Sequence, residues 1–354
     1  LISATSGSAQ EFANIEYLCA DWGPAMKPTL KTNEPPQFSD TEKEIYFLKQ
    51  VTHFTRRKLL LPDLLGGAKT EDIGRGTSIY LCSMKPDGSG KTEVRGLWKN
   101  PNYSIDTQDQ STWMDVNEKT RKIALAITFA GNEITGLWTM NLDGSELKRI
   151  ITPERNEKYL QAINKPSWSP DGQWIVFEEE LRGTNPNRFN IAACDALGGR
   201  FHRLLEASEK VHYRQPDVSP DGELVVYSKY PNGMPGGRHI WLMNPDGTSV
   251  HQLLNDKGGP IGGDFPTWSP DGKRIYVTGA GVVEVATGKT LIRKGPRLLS
   301  PNGELLERYS TVVMAHWGKL GLLCSAWGAG ITVVDENLNV QQSVAASTTE
   351  TTKP

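Results

Sequence analysis

The chain has 354 residues, ample for one large core or two domains. It carries 39 Lys and Arg against 41 Asp and Glu, a net charge of −2, which argues against a nucleic-acid binder with its basic excess or stripe. No apolar run approaches the roughly 18 residues of a membrane-spanning helix, and 35 Gly with 22 Pro against 37% hydrophobic residues suit an all-β chain rich in turns.

The chain opens on Leu1 and not on Met, as a processed or trimmed N-terminus would. Residues 1–34 are polar and turn-rich, with one short strand candidate at Asn14–Cys19. This segment reads as a closing strand, given by one terminus to the blade begun by the other. Next comes Pro36-Gln-Phe-Ser-Asp-Thr-Glu-Lys-Glu-Ile-Tyr-Phe47, in which Asp40, Thr41 and Glu42 stand where later copies have Pro, Asp and Gly. A degraded turn is expected there. Between this strand and Ser78–Cys82 lies an insertion, residues 53–77, with Arg56-Arg-Lys58 beside Leu59-Leu-Leu-Pro62. Loops of that length are usually functional, and its apolar tip beside basic residues makes it the foremost interface candidate. The strand Thr92–Arg95, reached through Lys85-Pro-Asp-Gly88, completes the first unit.

The second unit runs from Ser111-Thr-Trp-Met-Asp115 through Lys122–Ile127 and Gly136–Met140 to Leu147–Ile150. The signal then becomes strict. Pro166-Ser-Trp-Ser-Pro-Asp-Gly172 returns as Pro216-Asp-Val-Ser-Pro-Asp-Gly222 and again as Pro266-Thr-Trp-Ser-Pro-Asp-Gly272, each copy 50 residues after the last. Proline presets φ for a turn, aspartate can bond its own backbone, and glycine accepts positive φ. Each turn leads into a short run rich in β-branched and aromatic residues, such as Trp174-Ile-Val-Phe177, the pattern of a buried strand. A second turn follows half a repeat later, as in Asn244-Pro-Asp-Gly247. Four short strands per unit at a fixed period make the blade of a β-propeller. Units three to five span about 164–207, 214–255 and from Asp264 onward, and a degraded Ser300-Pro-Asn-Gly303 leads into a last blade ending near Ser343.

The reading is therefore a single β-propeller of four-stranded blades over residues 35–345, followed by a polar tail, residues 346–354, with nothing to bury. The count is six blades, and seven if the N-terminal segment and the stretch around Ser300 each form more structure. Cysteines at 19, 82, 194 and 324 allow three full pairings and show no Cys-x-x-Cys for zinc or haem. Cys82, Cys194 and Cys324 fall in expected strands, where a free cysteine acts as a small apolar residue. Cys19 is the one placed to find a partner.

Trp168-Ser-Pro-Asp-Gly172, Val218-Ser-Pro-Asp-Gly222 and Trp268-Ser-Pro-Asp-Gly272 resemble the WD40-like PD40 repeats of TolB-like β-propellers, as do the Pro-Asp-Gly turns at 86–88 and 245–247. The resemblance covers about residues 35–345. It implies a bacterial protein of the periplasm or cell exterior, with the propeller as a rigid platform, and it implies no activity. Three classes then compete. The propeller is a protein-interaction module in the TolB type, a catalytic funnel in some polysaccharide lyases, or a cofactor-free subunit of a redox assembly such as hydrazine synthase.

A uronate lyase needs a base, an acid and a cation for the carboxylate. His212-Tyr-Arg214 supplies these types directly before the fourth blade's innermost strand, which would place them near the central funnel, and Arg238-His239 could join them. The plainer reading packs Tyr213 and leaves His212 and Arg214 solvated. No His-x-His pair marks a metal site, no Gly-x-Ser-x-Gly elbow marks a serine hydrolase, and the glycines at 258–263 lack a nucleotide-binding spacing. The preferred expectation is a non-catalytic scaffold or complex subunit without a cofactor or metal. It would meet protein partners through the loops 53–77, 231–239 and 255–264.

Overall fold

The computed structural model describes residues 5–27, 37–60, 69–100, 110–129, 134–154, 160–184, 187–231, 237–293, 314–326, 330–345 and 348–352. Among them there is no helix, and hence none long and apolar enough to cross a membrane. The strands form six antiparallel sheets, each following the chain from an inner to an outer strand. The inner strands are Thr5–Lys27, Gln110–Asn117, Leu160–Trp168, Val211–Val218, Asp264–Trp268 and Met314–Gly318. Each touches the inner strand of the next blade, and the sixth touches the first, which closes the ring.

The apolar runs are continuous because each sheet is covered on both faces. In blade 3, Ile175 and Phe177 pack with Ala124, Ala126 and Leu137 of blade 2, while Val176 between them packs with Val225 and Tyr227 of blade 4. Blade 4 repeats this, with Val226 turned toward Ile275 and Val277 of blade 5. Tyr276 of blade 5 faces Leu322 and Cys324 of blade 6, whose Leu323 and Val333 meet Ile45 and Phe47 of blade 1. Tyr46 and Leu48 then meet Met114, Ile123 and Leu125 of blade 2. Six apolar clusters thus fill the six gaps between blades.

The Ser-Pro-Asp-Gly turns are alike in their bonding. Ser169 Oγ donates to Asp171 Oδ1 (2.6 Å) and accepts from the Trp174 N–H (3.1 Å), while Asp171 also accepts from the Gln173 N–H (3.0 Å). Ser219 with Asp221 and Ser269 with Asp271 do the same. Gly172, Gly222 and Gly272 sit at φ of 71°, 80° and 68°, the left-handed conformation that a Cβ disfavours.

Blade 1 departs from expectation. Its inner strand is Thr5–Lys27, so the N-terminal segment lines the axis and six blades account for the ring. Its second strand, Gln37–Leu60, runs straight through residues 40–42. With neither Pro nor Gly to fix a turn, that stretch becomes a register irregularity opposite Pro24 and Met26. Residues 53–77 are not one long loop. His53–Leu59 pairs with Lys69–Gly76 of the third strand and, on the other side, with Ser6–Ala13, which makes an arm beyond the blade. β-branched and aromatic residues such as Thr52, Phe54 and Thr55 favour this extended state. The tip, residues 61–68, lies outside the described residues, as does Ser300–Gly303. Within the polar tail, Thr348–Thr352 pairs with Glu11–Ile15, a strand that threonine's β-branching favours. Cys82, Cys194 and Cys324 are unpaired and buried, and burial pushes the thiols of Cys82 and Cys194 up to about 12. Cys19 lies in the inner strand of blade 1, and its pairing is outside the described side chains.

Candidate functional site at the ring axis

Two layers of side chains meet at the axis. Each holds positions that recur 50 residues apart, Ser167 and Asp217 in the lower layer and Lys165, Gln215 and Phe265 in the upper.

The lower layer latches the blades. Asp115 Oδ2 of blade 2 accepts the Trp168 N–H of blade 3 (2.6 Å). Ser167 Oγ of blade 3 accepts the Val218 N–H of blade 4 (3.0 Å), and Asp217 Oδ2 of blade 4 accepts the Trp268 N–H of blade 5 (2.9 Å). Lys165 reaches this layer, with Nζ 3.9 Å from Asp217 Oδ1, and His316 of blade 6 places Nδ1 3.8 Å from Asp115 Oδ1. Burial pushes the Asp115 carboxyl up to about 7, against the pull of Lys165 and the Trp168 N–H, with the charge of Asp217 adding to the rise. Asp217 is raised for the same first reason, and burial holds His316 well below the ordinary histidine range.

The upper layer is a cleft of about 230 Å³. Its floor comes from three bulged residues, Lys165, Gln215 and Phe265, each the residue before a proline. All three have positive φ (43°, 57° and 48°), and each lies within a register shift of its inner strand. Such bulges re-aim a side chain, here toward the axis. The Gln215 N–H donates to Glu178 Oε2 (3.0 Å), and Gln215 Oε1 accepts the Phe265 N–H (3.0 Å), which ties blades 3, 4 and 5 together at this level. Phe265 stacks on Trp113 of blade 2, centroids 6.0 Å apart, from the opposite side of the ring.

His212, Tyr213 and Arg214 lie within the inner strand of blade 4, Val211–Val218, and not before it, so alternation along the strand separates them. Arg214 lines the cleft and grips Glu178 with two hydrogen bonds (3.2 and 3.1 Å), its guanidinium 4.0 Å over the Phe189 ring. The neighbouring carboxylate keeps its proton held more firmly than usual, despite burial. His212 is buried edge-on to Phe189 (5.5 Å) with Nδ1 unpartnered, and burial with the charge of Arg214 lowers its pKa. Tyr213 points to the opposite face of the sheet, into the core between blades 3 and 4, edge-on to Tyr227 at 6.1 Å. His239 begins the third strand of blade 4, across from Lys229. Beside it, Arg238 and Tyr230 both bond Asp264.

Sequence reasoning missed Trp113, Asn164, Lys165, Glu178, Glu180, Gln215 and Phe265, all of which line the cleft. Two signals were available. Glu178-Glu-Glu180 is a run of three carboxylates inside an otherwise apolar strand, and all three are buried in the fold. The pairs before each proline, Asn164-Lys165, Arg214-Gln215 and Asp264-Phe265, vary while the rest of the unit repeats.

The three interface segments share one side of the ring. In an antiparallel blade the turn between second and third strands and the connection to the next blade fall at the same end. Residues 53–77 and 231–239 occupy the first kind of position and residues 255–264 the second. The described parts of all three therefore stand at the end where the inner strands begin, around the cleft mouth. Residues 232–236 lie outside the described set.

No family profile matches the chain. An uncharacterized protein of Agrobacterium fabrum is 27% identical over 157 residues, 42% of this chain and 48% of its own length. The Tol-Pal system protein TolB of Francisella tularensis subsp. mediasiatica is 27% identical over 218 residues, 51% of this chain and 46% of its own. The chain thus spans about half the length of the curated relatives it matches. Among solved structures, TolB from Acinetobacter baumannii aligns with a TM-score of 0.46 at 15% identity, over 90% of this chain and 78% of that one. Oligogalacturonate lyase from Vibrio parahaemolyticus aligns with a TM-score of 0.45 at 12% identity, over 92% and 95%. The chain is a six-bladed β-propeller, and about half of its sequence is similar to TolB.

Proposed function

We propose that this propeller is a protein-interaction subunit of the periplasm or cell exterior, without catalytic chemistry or a cofactor of its own. The observation that carries the reading is the gathering of the described parts of the arm at 53–77 and of the loops at 231–239 and 255–264 on one side of the ring. A rigid ring with irregular segments collected on one side is a platform for a partner. The sequence likeness to TolB, a Tol-Pal system protein, points the same way.

The lyase reading loses support from geometry. Its three residues do not converge, since Tyr213 is packed between blades. Arg214, the cation for a uronate carboxylate, is already neutralised by Glu178. Among the described residues nothing distinguishes a redox assembly such as hydrazine synthase from any other.

The test is purification of the full protein from its own host under mild conditions, with identification of what co-migrates. A stoichiometric protein partner, lost when residues 56–71 are replaced by a short turn, is the expected result. A lone monomer that depolymerises polygalacturonate, with that activity abolished in His212→Ala, would overturn the proposal.

A further inference from the structure

We propose that the axial cleft is a binding site for a neutral, hydroxyl-rich ring molecule of monosaccharide size. This goes beyond the partner-binding role and stands on different residues.

The argument starts from donors with nothing to donate to. Lys165 is 4% exposed and lines the cleft, yet among the described residues its ammonium has no hydrogen-bond partner and stands 3.9 Å from Asp217 Oδ1. The Trp113 indole N–H, also at the cleft wall, is buried and unpartnered. A buried donor without an acceptor loses its hydration with no return. Both groups can only donate, so an occupant must bring acceptor oxygens.

Charge then selects among oxygens. Lys165 is backed by Asp217, and Glu178 and Glu180 line the same cleft, so its positive charge already faces carboxylates. A ligand carboxylate would add another. Hydroxyl or ring oxygens meet the ammonium without that repulsion, and their own protons need acceptors. Glu180 supplies one, because among the described residues its Oε1 takes a single long bond, from Asn187 (3.3 Å), and keeps room for another.

Shape selects the body. Trp113 and Phe265 stack on each other, centroids 6.0 Å and planes 21° apart, and form one aromatic wall, and Phe189 adds a second apolar wall. Aromatic faces beside polar rims suit a ring with C–H edges and hydroxyls. A volume of about 230 Å³ lies just below the ~300–1,000 Å³ of typical small-molecule sites, so it holds one ring and not a chain. The floor is held in place by three non-glycine residues at positive φ, a conformation that persists only where the surroundings enforce it.

The experiment uses the purified full chain with glucose, galactose, myo-inositol and, as the charged arm, galacturonate. Calorimetry reads affinity, and the indole N–H resonance that vanishes in Trp113→Phe reads location. The expected result is saturable binding of at least one neutral compound that shifts that resonance. Trp113→Phe, which keeps the ring plane, weakens it about tenfold, and Lys165→Met weakens it at least as much. Should Lys165→Met fail to fold, the Trp113→Phe result decides alone. No saturation by any neutral compound, or unchanged affinity in Trp113→Phe, would overturn the site. Tighter binding of galacturonate than of galactose would overturn the neutral assignment.

Discussion

At one end of the inner strands of blades 3, 4 and 5, the same side chains do the same thing three times. Ser169, Ser219 and Ser269 bond Asp171, Asp221 and Asp271 and close identical turns. At the other end the backbone also repeats, with a bulge at 165, 215 and 265, but the side chains on it are Lys, Gln and Phe. The neighbours at 164, 214 and 264 are Asn, Arg and Asp. Where the residue is constant it builds the ring, and where only the conformation is constant the residue is free to build a site. Electrostatics follows the same division. Hydrogen bonds from serine and backbone N–H groups hold the turn carboxylates Asp171 and Asp221 below the ordinary range, whereas burial lifts Asp115 and Asp217 at the axis above it.

The largest expected effect comes from breaking the varied end. Glu178 is buried and is the acceptor for the Arg214 guanidinium and for the Gln215 N–H. Glu178→Ala leaves a cation and an amide without a partner, and breaking a buried pair this way costs about 3–5 kcal/mol. Because Arg214 keeps partial access to solvent, a loss of about 3 kcal/mol is expected, read as a lower urea midpoint with an unchanged slope. A loss under about 1 kcal/mol would show that the cleft end is no more tightly specified than the surface.

The constant end should break more gently and three times alike. Ser169→Ala, Ser219→Ala and Ser269→Ala each remove one hydroxyl that donates to an aspartate and accepts a backbone N–H. Each should cost about 1–1.5 kcal/mol by the same denaturation measurement. Values that differ by more than about 1 kcal/mol among the three would contradict their equivalence.

This division also explains what was legible in the sequence. Ser-Pro-Asp-Gly and the apolar runs that follow it act within a few residues, so composition and spacing reveal strand, turn, period and blade. The cleft is not local. Trp113 meets Phe265 across the ring and Asp115 meets His316 of the last blade, contacts between residues about 150 and 200 positions apart that exist only after closure. Glu178–Glu180 carried no reading in the sequence, since nothing within the strand shows that Arg203 and Arg214 come to meet Glu179 and Glu178. Residues 53–77 looked like a loop because both arms of the hairpin are polar. Their pairing with the N-terminal strand becomes visible only when that strand takes the innermost place.

The smallest predicted effect separates the two kinds of carboxylate by pH. Asp115, raised to about 7 from an ordinary 3.8, favours the folded state while protonated. Its contribution is complete below the unfolded value and is lost as pH rises through about 7. His316, depressed well below 6.5 by burial, has the opposite sign: its contribution is present above 6.5 and is lost as pH falls below it. Asp171 and Asp221, depressed by their hydrogen bonds, likewise lose their contributions only as pH falls below 3.8. Between pH 6.5 and 8.5 the turn aspartates are silent, while His316 completes the loss of its proton in the unfolded chain and raises stability by about 0.4 kcal/mol, against the fall from Asp115. Asp115→Asn keeps an oxygen for the Trp168 N–H and removes only the Asp115 titration. The stability of the wild type relative to Asp115→Asn should therefore fall across that window by about 1 kcal/mol, read from the two melting temperatures at each pH. A difference that is flat or rising with pH would mean that Asp115 is ionised in the closed ring, and the contrast between turn and axis carboxylates would fail.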